Sequence, residues 1–598
     1  MEAVTSLSAS TGSRTMADLA HLAAEKHAGK PALSYKSGDD WLEVSYEEVG
    51  QVVSEIARGL IAIGLEHGDK VSILSHTRPE WTYANLAILS SGTVSVSIYQ
   101  TNSAEECHYV LEHSESKAVF VEDAEQLAKV RAVEADLPGL EHIVIFDPPA
   151  GSDDLGSAIT LAQLRETGAA RPEEELTSRR DAVTKDDLCI TIYTSGTTGP
   201  PKGCLISHGN YRDVTNMTIA HDVIGVDDEV VYLFLPLAHA FAKLIQFVSI
   251  DTGGSIAFWE KDPQKIVPNL MEVQPTYFPS VPRMFEKIYT LATSAAEDLE
   301  QLERAVKVGV TVRDMQAAGQ DVPPELQAGF DRAEEKLYAN VRAIFGGRIR
   351  QCVTGAAPIA KEILEFFYAC GIPVMEGYGM TETSTVATAN VPRDFRFGSV
   401  GKPLPGVEAR VAEDGELLLK GANIFQGYYK NEQATAETLV DGWLHTGDIG
   451  RIDDDGFVYI TGRKKDIILT AGGKNITPAN LENGLKQNRY ISQAVVVGDR
   501  RPYLVALITV EPEEAPGFAE QHSLAVEAVA GSEAMREDVQ RTVDAVNAKV
   551  GPVEQIKKFA ILPQDFSQET GELTPTLKVK RNVVGEKNSE AIEALYTG

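Results

Sequence analysis

A loop of small and hydroxyl-bearing residues, 193–203, is the first segment of the chain whose residue types suit phosphate chemistry. It follows the apolar stretch 188–192, a predicted strand, and reads YTSGTTGPPKG. Glycines let the backbone approach an oligophosphate and turn its N–H groups toward it, while hydroxyls and the charge of Lys202 add donors. The P-loop pattern does not fit, because Lys202 is followed by Gly203 and the glycine spacing differs. The segment predicts a phosphate-binding loop of another kind, with a plain glycine-rich turn as the alternative.

Further short motifs follow this loop along nearly the whole chain. They are LPLAH at 235–239, GAAP at 355–358, GYGMTE at 377–382, WLHTGD at 443–448, GRKKD at 462–466 and TPTLKVKR at 574–581. With the loop, they resemble the adenylate-forming superfamily of acyl-CoA synthetases, adenylation domains and luciferases. One such motif is weak evidence, but this many in the family's order are specific. The resemblance is nearest to the long-chain fatty acid–CoA ligases of bacterial type.

The resemblance implies a site for ATP. Adenine needs a flat slot with backbone partners, which the two glycine-containing turns can form with the ring of Tyr378 stacked on the base. Asp448 is expected to accept hydrogen bonds from both ribose hydroxyls, with Arg463 as a second contact. The residues implied to bind the nucleotide are Thr194, Ser195, Gly196, Thr197, Thr198, Gly199, Lys202, Gly355, Ala356, Ala357, Glu376, Gly377, Tyr378, Gly379, Asp448 and Arg463.

The first implied reaction joins a carboxylate to the α-phosphate of ATP, so positive charge must lie near the bridging oxygens. Lys578 falls at the family position of the catalytic lysine, and a solvated basic tail is the alternative interpretation. Thr381 and His239 are expected to help place the reactants. Glu382 is implied to be catalytic as the ligand of Mg2+, a hard ion that takes oxygen ligands and bridges phosphates.

The second implied reaction transfers the acyl group to the thiol of coenzyme A, which must reach the carbonyl from another side. The family resolves this conflict by rotating the C-terminal domain about a hinge. The resemblance to this family implies a hinge at Lys465 and places Gly472 and Gly473 beside the channel for coenzyme A. An exposed lysine without a role is the alternative for Lys465.

The identity of the acid depends on features that resemble the long-chain branch: SVPRMFEK at 280–287, a helical insertion after it, and GELTPT at 571–576. At about 0.8 kcal/mol per buried methylene, eight extra carbons contribute about 6 kcal/mol if a tunnel receives them. One position departs from the branch. Some long-chain members gate the tunnel with an aromatic residue shortly after the motif histidine, where this chain has Lys243.

Several other functions stay open at this point. A fatty acyl-AMP ligase that passes its product to a carrier protein typically carries an insertion after the hinge motif, and 467–472 has none. A medium-chain acyl-CoA ligase, an amino-acid or aryl-acid adenylation domain and a non-catalytic nucleotide-binding protein are further alternatives. The presence of Glu382, Asp448, Arg463 and Lys578 argues against loss of catalysis.

The elements that must position these residues follow an α/β pattern, because runs rich in Val, Ile and Leu alternate with helical segments. We predict a large N-terminal AMP-binding domain, 1–464, of two layered α/β subdomains plus a small β-barrel. It includes a helical insertion at about 290–342 and a β module at about 400–460, where Asp-Gly turns separate short strands. A small, mobile α+β C-terminal domain, 465–598, carries the catalytic lysine.

Composition limits the partners of the protein. The 598 residues carry a net charge of −32, which opposes nonspecific binding to nucleic acid or an anionic membrane surface. The five cysteines are odd in number and lack C-x-x-C spacing, which favours a reducing, cytoplasmic compartment. No secretory signal or membrane-spanning segment is predicted, since polar residues interrupt the apolar stretch 230–250. The expected partners are fatty acid, ATP and coenzyme A; peripheral membrane contact is compatible with the sequence, and the oligomeric state stays open.

Overall fold

The computed structural model describes residues 8–149, 151, 155–194, 200–225, 228–293, 299–470, 474–574 and 578–597. Within these ranges the chain forms large sheets covered by helices, a smaller antiparallel sheet and a separate C-terminal part. None of the described helices is both long and apolar enough to cross a membrane.

The first large sheet has nine strands in the described part of the chain. Its central strands are parallel and its edges antiparallel. In spatial order the strands are Lys402–Pro403, Thr388–Ala389, Val374–Tyr378, Gln351–Thr354, Tyr277–Ser280, Val230–Leu233, Ser255–Phe258, Pro31–Ser37 and Asp40–Ser45.

The second large sheet has eight described strands and is also parallel at its centre. Its strand Val94–Ile98 is buried at every position, as expected for a parallel strand covered on both faces. In spatial order the strands are Gly427–Tyr428, Lys202–Ser207, Leu188–Thr194, Val94–Ile98, Lys70–Leu74, Ser116–Val121, His142–Ile145 and Ile159–Thr160.

Smaller sheets follow along the chain. An antiparallel sheet contains Glu408–Val411, Glu416–Lys420, Trp443–Ile452, Leu439–Val440 and Val458–Arg463. After it come the strand pair Ile468–Leu469 and Asn475–Ile476, and a three-stranded sheet of Ile491–Val497, Leu504–Val510 and Ile556–Leu562.

Helices cover both faces of the large sheets. The described α-helices before the C-terminal part are Leu19–His27, Tyr46–Ala62, Pro79–Ser90, Ala104–Ser114, Ala124–Arg131, Leu161–Ala169, Glu173–Ala182, His208–Ala220, Ala240–Thr252, Ile266–Val273, Pro282–Thr293, Leu299–Ala317, Pro324–Ala333, Ala339–Ile344, Lys361–Ala369 and Glu432–Thr438. Those of the C-terminal part are Pro478–Leu485, Ala515–His522, Glu533–Asn547, Arg581–Lys587 and Ser589–Thr597. Short 3₁₀ turns include Thr381–Thr383 and Lys464–Asp466.

The largest hydrophobic core lies between the two large sheets and contains residues from both, such as Val71 and Val231. A second core, rich in phenylalanine, covers the other face of the nine-stranded sheet around Phe278 and Phe367. The C-terminal part has cores of its own, and their described members all lie at or beyond Ile468. It is therefore packed as a separate body.

The predicted fold class is confirmed: an α/β chain has a large N-terminal domain and a small C-terminal one. The five-stranded antiparallel sheet corresponds to the predicted small β-barrel. Helices Leu299–Ala317, Pro324–Ala333 and Ala339–Ile344, with a π-helical turn at Glu334–Tyr338, lie where a helical insertion was expected. The domain boundary at 464/465 and the limits 290–342 and 400–460 stay predictions.

Candidate functional site

Tyr378, Asp448 and Arg463 meet where the nine-stranded sheet approaches the antiparallel one. Asp448 and Arg463 are cross-strand partners of Trp443–Ile452 and Val458–Arg463. Arg463 Nε lies 3.0 Å from Asp448 Oδ1, and the Tyr378 hydroxyl donates to Asp448 Oδ2 over 2.6 Å. Burial, followed by the neighbouring Asp448 charge, raises the pKa of Tyr378 well above its usual range. The Asp448 carboxylate is thus fixed in place and can still accept bonds from a diol, because each oxygen has two lone pairs.

The Glu382 carboxylate is held by a tyrosine of another strand, Tyr428. It lies in the turn Thr381–Thr383, where both Thr381 and Glu382 are buried. The Tyr428 hydroxyl donates to Glu382 Oε1 over 2.6 Å, and Lys202 Nζ lies 4.9 Å from the centre of the Tyr428 ring. Tyr428 therefore connects the predicted metal ligand to the lysine at the end of the phosphate loop.

The turns predicted to hold adenine end two neighbouring parallel strands, Gln351–Thr354 and Val374–Tyr378. Gly355, Ala356 and Ala357 thus lie beside Glu376, Gly377 and Gly379. A Cβ at position 379 would lie 2.0 Å from the Thr385 carbonyl oxygen, so only glycine fits there. Glu376 is buried, and its Oε2 has no hydrogen-bond partner within the described part of the chain. Burial raises the pKa of this carboxyl to about 8.

Lys578 comes from the C-terminal part, on the segment between Thr574 and Val579. Thr574 and Lys578 bond to each other through N–H to O (2.8 Å) and N–H to Oγ1 (3.0 Å). The amine sits in a cleft that is open to solvent but crowded by protein. Desolvation in this cleft, followed by the positive charge of Arg463, lowers the pKa of Lys578. The carboxylates of Asp448 and Glu382 oppose that change.

His239 belongs to the large domain and lies near enough to Lys578 to feel its charge. It begins helix Ala240–Thr252, where its Nδ1 accepts a hydrogen bond from the Phe241 N–H over 3.2 Å. Burial, followed by the charge of Lys578, lowers the pKa of His239 to about 4. His239 is therefore neutral at physiological pH.

Lys465, the predicted hinge, directly follows Arg463 and Lys464 in a 3₁₀ turn. Desolvation, followed by the Arg463 charge, lowers the pKa of Lys465, whereas the Asp448 carboxylate opposes that change. Gly462, just before this turn, faces Thr477 so closely that a Cβ would lie 2.2 Å from Thr477 Cγ2. The two bodies therefore meet tightly at the predicted hinge.

The structure thus brings together residues from distant motifs: Asp448, Arg463, Glu382, Lys578 and His239. Thr194 pairs with Lys202 across adjacent strands at the start of the predicted phosphate loop. Several predicted residues lie outside the described part of the chain: Ser195, Gly196, Thr197, Thr198 and Gly199 of the loop, and Gly472 and Gly473 of the coenzyme A channel.

Comparison with known proteins shows the family of this chain. Residues 20–429 match the model of the family described as AMP-binding enzyme, and residues 465–598 match the AMP-binding enzyme C-terminal domain. The chain belongs to the AMP-binding enzyme family.

This AMP-binding enzyme is 40% identical over 566 residues to the long-chain-fatty-acid–CoA ligase FadD15 of Mycobacterium bovis, covering 93% of this chain and 92% of the relative. It is 34% identical to the long-chain-fatty-acid–CoA ligase ACSBG2 of Xenopus laevis, covering 96% and 82%. Its fold resembles the adenylation domain of a carboxylate reductase from Mycobacterium chelonae, with a TM-score of 0.78, 21% identity and coverage of 100% and 93%. The anthranilate CoA ligase AuaEII in complex with anthranoyl-AMP gives a TM-score of 0.73 at 20% identity, with coverage of 97% and 98%.

Tyr428 of this AMP-binding enzyme contacts the predicted site residue Glu382, and the sequence did not reveal this contact. It lies between motifs, in the edge strand Gly427–Tyr428, which pairs with Lys202–Ser207. Burial, followed by the Glu382 charge, raises the pKa of Tyr428 far above its usual range, so the hydroxyl stays protonated and donates. A tyrosine in a two-residue strand has no sequence pattern that marks it as a partner of Glu382.

Lys243 occupies the position where the aromatic gate was expected, one helical turn after His239. Its side chain is fully buried, and Nζ has no hydrogen-bond partner among the residues that the structure describes. The amine lies 3.9 Å from the centre of the Trp81 ring, which comes from helix Pro79–Ser90. Burial lowers the pKa of Lys243 well below its usual range. An aromatic ring is thus present at this point, supplied by another helix.

Proposed function

We propose that this protein is an ATP-dependent long-chain fatty acid–CoA ligase that works through an acyl-AMP intermediate. The observation that carries the proposal is the convergence of Lys578 with Asp448, Arg463 and Glu382 in one cleft. The relatives are named long-chain-fatty-acid–CoA ligases, which supports a long-chain fatty acid as the substrate. Their alignments cover more than nine tenths of this chain. ATP and coenzyme A are the co-substrates.

In the first half-reaction, a carboxylate oxygen of the fatty acid attacks the α-phosphorus of ATP, and the bond to the bridging oxygen of diphosphate breaks. Lys578 stabilises the negative charge that develops on the phosphoryl oxygens. Asp448 accepts the ribose hydroxyls while Arg463 and Tyr378 hold its carboxylate. Neutral His239 and Thr381 help to place the acid without adding charge.

Glu382 would hold Mg2+. One of its oxygens accepts from Tyr428, which leaves the other free to bind a cation. The described residues contain no cluster of three or more His, Cys, Asp or Glu able to cage a metal. A single carboxylate nevertheless fits Mg2+, which usually binds through one or two carboxylates, water and substrate phosphates. When bound, the ion neutralises charge on the diphosphate.

In the second half-reaction, the sulfur of coenzyme A attacks the acyl carbonyl, the thiol proton leaves, and AMP departs. The thiol must approach from a side that the docked C-terminal part occupies, so that part rotates about Lys465.

The described cysteines Cys107, Cys189, Cys204, Cys352 and Cys370 are all buried and free. Buried free thiols fit a reducing compartment, where disulfides do not persist. We therefore assign the enzyme to the cytoplasm.

The function is tested by measuring AMP release with ATP, Mg2+ and acids from acetate to C18, with and without coenzyme A. The proposal expects release that depends on coenzyme A and increases toward long acids. Optimal activity with medium-length acids would change the substrate class, and acyl-AMP that accumulates regardless of coenzyme A would indicate a fatty acyl-AMP ligase. Absence of ATP–diphosphate exchange with every acid would refute the ligase function.

A further inference from the structure

The C-terminal part touches the large domain through matched charges on helix Pro282–Thr293. Helix Pro282–Thr293 presents Arg283 and Lys287, one turn apart, and the loop after strand Leu504–Val510 presents Glu511 and Glu513. The Arg283 guanidinium contacts the Glu511 carboxylate, and Lys287 Nζ lies 2.5 Å from Glu513 Oε2. Both cations belong to one body and both anions to the other.

The two carboxylates of this contact differ, since Glu513 is 64% exposed and Glu511 is largely covered. Glu511 is only 14% exposed, whereas Arg283 is half exposed. The Glu511 carbonyl accepts the N–H groups of Glu514 and Ala515 at the start of helix Ala515–His522. The carboxylate therefore projects from an ordered corner, which lowers the entropy lost when the pair forms.

Both sides are connected to the reacting centre. Helix Pro282–Thr293 follows strand Tyr277–Ser280, which pairs with the strand that ends at Gly355. On the other side, Leu507 in strand Leu504–Val510 shares a core with Leu573 and Val579, which flank Lys578. Packed side chains therefore connect the strand that precedes Glu511 to the residues on either side of Lys578.

We propose that Arg283, Lys287, Glu511 and Glu513 form an ionic latch that holds Lys578 in the cleft for adenylation and opens before thioester formation. These are positioning residues, since none of them touches the reacting atoms. The inference rests on the proposed function, because it assigns the latch to one of its half-reactions. Exposed ion pairs are individually weak, so the latch holds the closed arrangement without preventing its release.

The latch is tested by reversing and then exchanging its charges. The variants are Arg283→Glu/Lys287→Glu, Glu511→Arg/Glu513→Lys, and the fourfold exchange that restores opposite charges. We expect each double reversal to lower ATP–diphosphate exchange about tenfold and the fourfold exchange to restore most of it. Thioester formation from supplied acyl-AMP and coenzyme A should stay within about twofold of the parent.

A matched control reverses two exposed lysines outside the contact, Lys307→Glu and Lys361→Glu, with the same change in net charge as the first variant. It should leave both half-reactions unchanged. High salt should shrink the difference between parent and reversed variants, because screening weakens exposed pairs. Equal loss of both half-reactions, or failure of the fourfold exchange to recover adenylation, would overturn the latch.

A second measurement separates the latch from the proposed function. Lys287→Cys/Glu513→Cys places thiols on the two sides, and the five native cysteines are buried. A short bismaleimide should join the introduced thiols in the free protein, and adding Arg283→Glu should reduce the yield. This yield does not depend on any catalysed reaction. No cross-linking in either protein would refute the latch even if the enzyme is an active ligase.

Discussion

The two bodies that form the cleft hold their functional residues in different ways. In the large domain, Asp448 and Glu382 are buried and each accepts a hydrogen bond from a tyrosine of another element. Lys578, in contrast, lies on a short segment, and its backbone forms hydrogen bonds with Thr574 of the same body. Asp448 and Glu382 are thus fixed by burial and by bonds to other elements, whereas Lys578 is placed by local contacts within the C-terminal part.

The largest effect is expected from Lys578→Ala, which removes the cation contributed by the movable body. Loss of one preorganised charge-stabilising donor costs about 10²- to 10³-fold in rate, so adenylation should fall by that factor. Thioester formation from supplied acyl-AMP should be spared, because it uses the other arrangement. Lys580→Ala, two residues away, is the control and should retain both activities. Comparable loss of both half-reactions in Lys578→Ala would contradict the assignment.

Lys465→Pro should have the opposite effect to Lys578→Ala, slowing thioester formation and sparing adenylation. Proline fixes φ at the hinge, and if this adds a barrier of about 3 kcal/mol, thioester formation slows by about a hundredfold. Adenylation should persist, since the docked arrangement needs no rotation. Lys465→Ala, which keeps the backbone free, should behave like the parent. Normal overall turnover in the proline variant would show that Lys465 is not the hinge.

Tyr428→Phe tests the fixed body. A hydrogen bond to a charged group contributes about 1.5–3 kcal/mol, so kcat/KM for ATP in adenylation should fall about tenfold or more while Glu382 loses its orientation. Thioester formation should change little. Tyr429→Phe is a close control, because the Tyr429 hydroxyl donates to Glu115 instead. A loss in the control as large as in Tyr428→Phe would show that the effect is not specific to Glu382.

Lys243→Met should produce the smallest change, in stability. Among the described residues its buried amine has no hydrogen-bond partner, so methionine should stabilise the domain by about 1 kcal/mol at pH 7. Since burial lowers the pKa of Lys243, the folded state binds its proton less tightly than the unfolded chain. The parent should therefore gain stability between pH 7 and pH 9, and the variant should lack that gain. Melting temperatures at both pH values measure this; an equal pH response in both proteins would contradict it.

Much of the candidate site could be predicted from sequence because its residues stand in short motifs with restricted composition. Asp448, Glu382 and Arg463 were named from such motifs, and the structure places them near Lys578. The tyrosine partner of Glu382 and the charge contacts of Arg283 could not be predicted in the same way. Their partners are distant in sequence and belong to other elements, so no local pattern connects them.

By itself, the sequence determined the alternation of buried strands and helices, the order of the motifs and the identity of the titratable groups, since these follow from residue type and spacing. Only the tertiary structure decided that Trp81 packs on Lys243, that Tyr428 reaches Glu382 and that Glu511 meets Arg283. Burial and three-dimensional proximity set the protonation of His239, Glu376 and Lys243. Those quantities depend on which chain segments pack together, and that is a property of the whole fold.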